Sequence, residues 1–179
     1  LDAAGTSAPS AQVPVHPLSL LNEALASMRP RLAQAGIDVD TSGLDALAAP
    51  GAAQPAPLVR GDAQQLHQVF LNLLENSLRY TDSGGSLKIS AEQHDKTVRL
   101  TFADSAPGVS DDQLQKLFER FYRTEGSRNR ASGGSGLGLA ICLNIVEAHN
   151  GRIIAAHSPF GGVSITVELP LERDLQREV

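Results

Sequence analysis

The stretch GGSGLGLAI, Gly133 to Ile141, carries the reading of this chain. Four glycines fall within six residues, and an apolar helical run overlaps and follows them through Leu137, Leu139, Ala140, Ile141, Leu143, Ile145 and Val146. Glycines let a backbone come close to a ligand. The first turn of a helix has N–H groups with no intrahelical partner, and these point at an anion. A glycine-rich loop that opens into a helix is therefore suited to phosphate. Taken alone, the same segment also reads as a plain hinge before a helix.

Two upstream segments bear on that choice. In LNLLENSLRYT, Leu71 to Thr81, Asn72 and Asn76 are four apart and Asn76 and Arg79 three apart, so they share one helix face. Val69, Phe70, Leu73, Leu74 and Leu78 form the apolar stripe beside them. Amides next to such a stripe cost desolvation unless they bond something. An amide oxygen is a hard ligand suited to Mg²⁺, which takes few protein ligands and keeps waters and substrate phosphates. A pair of solvated helix asparagines is the other reading. The second segment runs from Leu100 to Arg123. A strand alternating through Val98, Leu100 and Phe102 ends at Asp104, Ala106-Pro107-Gly108 breaks the chain, and Ser110 caps a short helix with Gln113 as its capping-box partner. A carboxylate at a strand end can accept from an exocyclic amine such as adenine N6, or it can simply cap a turn.

At 179 residues the chain suits one well-buried domain. It is 41% hydrophobic and 20% charged, and its net charge of −5 comes without a basic block, which argues against a nucleic-acid partner. Cations for an anionic ligand must then be local; Arg79, Arg120 and Arg123 are the candidates. The single Cys142, on the helix after the glycine loop, permits no internal disulfide and reads as core. No apolar run reaches membrane-span length and no signal peptide is visible.

Residues 1–15 have the composition of a linker or tag remnant, 16–172 that of the domain, and 173–179 form a tail. Pro17 to Gln34 reads as a helix that Pro30 should kink or divide. Short strands are expected at Ile37–Asp40 and Leu58–Arg60, with a long surface loop from Thr41 to Pro57. Asp62 caps a helix to about Tyr80, with Gln65 as its box partner. A hairpin of Ser86–Gln93 and Thr97–Ala103 follows. The glycine-loop helix should reach about His149 and stop at Asn150-Gly151, Gly suiting the left-handed conformation there. Arg152–His157 and Val163–Leu169 are strands. The connection from Asp104 to Gly136 exceeds ordinary loop length, and its polar stretch Thr124–Gly134 reads as a lid over a ligand.

In this order, the Asn-rich helix, Asp-x-x-x-Gly, the Phe-rich segment and Gly-x-Gly-Leu-Gly-Leu resemble the nucleotide-binding domain of bacterial sensor histidine kinases. That superfamily also holds gyrase, the Hsp90 chaperones and MutL-type repair proteins. The resemblance covers roughly Pro17 to Pro170 and is closer after Asn72 than before Gly61. It implies a Bergerat-type α/β sandwich (α+β): a mixed, mostly antiparallel sheet with about three helices on one face and a long ATP lid. It implies ATP and Mg²⁺, with Asn76 as the metal ligand and Asp104 reading adenine. By the same resemblance, Asn72, Asn76 and Arg79 are catalytic. Arg79, Tyr80, Gly108, Arg120, Arg123, Ser135, Gly136, Leu137, Gly138 and Leu139 join Asn76 and Asp104 around the nucleotide. Phe118 and Phe121 would anchor the lid.

Sensor kinases phosphorylate a histidine in a His-Glu-x-x-x-Pro context, which His16, His67, His94, His149 and His157 all lack. The implied acceptor is therefore a separate dimerisation domain of the same kinase, with a response regulator downstream. The implied setting is the cytoplasmic part of an inner-membrane sensor, with the domain itself monomeric. His149 and His157 read as structural, His149 as a cation favoured at a helix C-terminus. Hydrolytic members of the superfamily carry a Glu four residues before the metal Asn as the base for water. Asn72 stands there instead, and it cannot take a proton near neutral pH. Kinase is thus favoured over the first alternative, a hydrolytic ATPase module of the same fold; the second alternative is an interaction domain that keeps the fold but not the nucleotide. Ala106 departs from the family's Asp-x-Gly-x-Gly and would strain a left-handed site by roughly 1–2 kcal/mol.

Overall fold

The computed structural model describes residues 12–48, 55–105, 107–120 and 138–172. In chain order the elements are β1 (Val13–Val15), α1 (Pro17–Gln34), β2 (Asp38–Gly43), α2 (Asp45–Ala48), β3 (Val59–Gly61), α3 (Ala63–Tyr80), β4 (Ser86–Gln93), β5 (Thr97–Ser105), α4 (Asp111–Lys116), α5 (Gly138–Ala148), β6 (Arg152–His157) and β7 (Gly161–Pro170). Five strands make one sheet in the order β2-β4-β5-β7-β6. Only β2 against β4 is parallel; the other pairs are antiparallel. The expected mixed, mostly antiparallel sheet is what forms.

Alternation decides which face is buried. On β4 and β5, Leu87, Ile89, Val98, Leu100 and Phe102 point into the core with Ile165, Val167 and Leu169 of β7. The helices supply the opposing layer. Leu21, Leu25, Met28 and Leu32 of α1 join Leu66, Val69, Phe70, Leu73 and Leu74 of α3, at the spacing of one helical stripe. Cys142 and Val146 bring α5 into the same core. The Phe70 and Phe102 rings stack at 6.3 Å between centroids and fix α3 over β5, which matters because both elements carry site residues. Among the described residues no helix is long and apolar enough to cross a membrane.

The structure departs from the sequence expectations at four places. Val13–Val15, placed in the linker by composition, pairs antiparallel with β3 as β1. Thr41–Gly43 extends β2 and Asp45–Ala48 forms α2, where a loop is expected from the sequence; residues 49–54 lie outside the described residues. Proline 30 does not divide α1. It removes the N–H that would bond the Ala26 carbonyl, but both residues are exposed and water can take that bond. At the end of α5 the left-handed residue is Asn150, with φ 57°, rather than Gly151. Asn tolerates that region; Gly151 is needed because a Cβ there would collide with the Glu168 carbonyl.

His149 is structural, as expected, but not as a cation. Its Nε2 accepts the Asp62 N–H at 3.0 Å, so the ring proton sits on Nδ1 and is donated to the Ile145 carbonyl at 2.7 Å. The neutral ring therefore ties the end of α5 to the start of α3. There Asp62 Oδ1 accepts from the Gln64 and Gln65 N–H groups as the expected cap. Ser110 and Gln113 form the expected capping box on α4.

Candidate functional site

Asp104 lies at the end of β5 with 6% of its surface exposed. Its Oδ1 accepts the Val163 N–H at 2.8 Å, and its Oδ2 accepts the Ser77 hydroxyl at 3.3 Å. Burial pushes its carboxyl up from 3.8 to about 6, against the opposing pull of the Val163 and Ser77 bonds. A carboxylate offers about four acceptor positions, so these two donors leave capacity for another. The neighbouring strand approaches this closely because residue 162 is glycine. A Cβ on Gly162 would overlap the Asp104 carboxylate and the Ser105 carbonyl. Gly108 is likewise constrained: a Cβ there would stand 2.6 Å from the Gly161 carbonyl oxygen.

Asn72 and Asn76 share a face of α3. Asn72 is not a solvated asparagine. Its Nδ2 donates to the Gly138 carbonyl at 3.3 Å and its Oδ1 accepts from Gln68 Nε2 at 2.6 Å. It thereby ties α3 to the first residue of α5, the helix that the glycine loop opens. Asn76, one turn on, is half-buried, and its side chain forms no hydrogen bond with the described residues. Arg79 and Tyr80, both half-buried, complete the last turn of α3. Gly138 is half-buried, with nothing described within 4 Å of where its Cβ would stand, and half-buried Leu139 packs against the core.

The structure thus brings Asn72 to Gly138, and Asp104 to the residue after Asn76. Arg120 is exposed, and no bond among the described residues joins it to the rest. Phe118 packs against the core; the lid it was expected to anchor lies outside the described residues. Ala106, Phe121, Arg123, Thr124–Gly134, Ser135, Gly136 and Leu137 lie outside the described residues. Three contributors escaped the sequence reading: Gln68, Ser77 and the Val163 amide. Ser77 left a signal, since it continues the stripe of Phe70, Leu73 and Leu74 with a polar residue. The other two left none: Gln68 reads as one more polar residue a helical turn from Asn72, and the Val163 amide acts across a sheet pairing.

Comparison with known proteins agrees with this geometry. The family of histidine kinase-, DNA gyrase B- and HSP90-like ATPases matches residues 61–173, and the chain belongs to that family. The signal transduction histidine-protein kinase BaeS of Escherichia coli is 73% identical over 168 residues, 94% of this chain and 34% of that protein. The likeness therefore reaches well ahead of Gly61. The chain spans about a third of the length of the curated relatives it matches. Among solved structures, the mycobacterial sensor histidine kinase MprB superposes with a TM-score of 0.72 at 26% identity, covering 89% of this chain and 98% of that one. Full-length ShkA in complex with AMPPNP gives 0.72 at 28% identity, over 89% of this chain and 31% of that one.

Proposed function

We propose that this chain is the ATP-binding catalytic part of a two-component sensor histidine kinase. In this reading it binds Mg–ATP and directs the γ-phosphoryl to a histidine on a separate dimerisation domain, from which a response regulator takes it. The observation that carries the reading is the buried Asp104 carboxylate, held by the Val163 N–H with acceptor capacity to spare, beside a helix presenting Asn76. A carboxylate there favours the adenine amine and repels the guanine O6. The names of the relatives agree: BaeS is a histidine-protein kinase, and ShkA was crystallised with an adenine nucleotide.

The residues also suit the metal. Among the described residues no three His, Cys, Asp or Glu side chains gather into a cage. Mg²⁺ in phosphoryl-transfer sites asks for little more than one hard ligand plus phosphate oxygens and waters. Asn76 has the carbonyl oxygen to give. When bound, the ion neutralises charge on the triphosphate. The protein's part is to position: Asp104 holds the base, Asn72 holds α5 by Gly138, and Arg79 lies on the Asn76 face to meet charge. Gly136, Leu137 and Gly138 are assigned to the phosphates, with Tyr80, Gly108, Arg120, Arg123, Ser135 and Leu139 around the nucleotide. Residues 16–172 make up the working domain, monomeric in isolation, in the cytoplasmic part of an inner-membrane sensor.

Hydrolysis is disfavoured because Asn72 is no base and both ends of its amide are engaged. Incubation with γ-labelled ATP tests the assignment. The chain alone should stay unlabelled and release little phosphate. With the cognate dimerisation domain added, that domain should gain label slowly, since the tether that raises effective concentration is missing. Label on this chain, or rapid phosphate release without an acceptor, would count against the reading.

A further inference from the structure

We infer that Ser77 is a positioning residue for base recognition: its hydroxyl and the Val163 N–H together hold the Asp104 carboxylate in the one orientation that meets an exocyclic amine. The inference rests on the reading of Asp104 as the adenine contact and adds to it the residue that sets the contact's geometry. The terminal torsion of an aspartate is broad and roughly two-fold, so one donor does not fix the carboxylate plane. Here the donors come from two sides. Val163 on β7 takes Oδ1 at 2.8 Å, and Ser77 on α3 takes Oδ2 at 3.3 Å. Ser77 is 4% exposed, in a stripe otherwise filled by Phe70, Leu73 and Leu74. A hydroxyl in that place costs desolvation and finds its compensation in Asp104. Ser77 also follows Asn76 directly, so one rigid helix sets both the carboxylate that faces the base and the amide assigned to the metal. Gly162 closes the arrangement, since a side chain there would occupy the carboxylate's own space.

The test compares ATP with purine riboside triphosphate, which lacks the 6-amino group, by calorimetry on the wild-type chain, Ser77→Ala, Ser77→Thr and Asp104→Asn. The readout is the ratio of the two affinities within each protein, in which any general loss of stability or of folded fraction cancels. Ser77→Ala should weaken ATP about fivefold, the factor expected of one ordinary hydrogen bond, and leave the analogue within about twofold. Ser77→Thr, which keeps the hydroxyl, should return the ratio toward wild type. An equal loss for both ligands in Ser77→Ala, or none for ATP, overturns the positioning role while Asp104→Asn still lowers the ratio. If the wild-type chain and Asp104→Asn show the same ratio, the base contact itself fails and the role of Ser77 goes with it.

Discussion

Asp104 meets two opposed demands: in the proposed role of base-reading acceptor it serves best ionised, yet its burial favours the neutral form. Its folded value of about 6 lies above the ordinary 3.8. A raised value means that the folded state holds the proton more tightly. The associated stability is therefore complete below about pH 4 and lost as pH rises to about 6. Two units correspond to roughly 3 kcal/mol. Asp104→Asn keeps an acceptor for Val163 and escapes that loss, so in urea unfolding its stability relative to wild type should rise by about 2–3 kcal/mol between pH 4 and pH 8. A difference that stays constant with pH would place the titration elsewhere. Function runs the other way: wild-type ATP affinity should fall as pH drops through about 6, because the protonated group is the poorer acceptor. Asp104 was legible in the sequence because it ends an alternating strand beside a Pro-Gly break. The Val163 amide, which holds it, was not, because its partner lies 59 residues away across a sheet pairing.

At the scale of elements, α3 and α5 were readable because their apolar residues recur at helical spacing. Their coupling was not, because an amide that bonds a distant carbonyl looks the same in sequence as one that bonds water. Asn72 supplies that coupling to Gly138. Asn72→Ala should cost about 1 kcal/mol in global stability and speed amide exchange in the first turn of α5 more than elsewhere. Unchanged exchange from Gly138 to Cys142 would mean the bond does not hold the helix. Further along the same helix, Cys142 is fully buried, with its thiol pushed up to about 12 by desolvation. It should resist a water-soluble thiol reagent at pH 8 in the native chain and react fully in denaturant. Native reaction at a comparable rate would show that α5 opens readily. Boundaries were the less legible part. Beta-strand β1 hides in a linker-like composition, and its strand character comes from pairing with β3.

For the molecule as a whole, the order of motifs outweighed any single one, since each segment alone admitted an ordinary structural reading. The five-stranded sheet brings them together: β5 carries Asp104, β7 holds it, and α3 lies over both with Asn76 on its last turns. We propose that this arrangement is a Mg–ATP site with Asn76 at the metal. Calorimetric titration of ATP, with and without Mg²⁺, into the wild-type chain and Asn76→Ala tests it most directly. Binding should be tighter with Mg²⁺ in the wild type, and most of that gain should be lost in an Asn76→Ala chain that still folds. Equal binding by the two proteins at saturating Mg²⁺, or no ATP binding by the wild type at millimolar concentration, would contradict it.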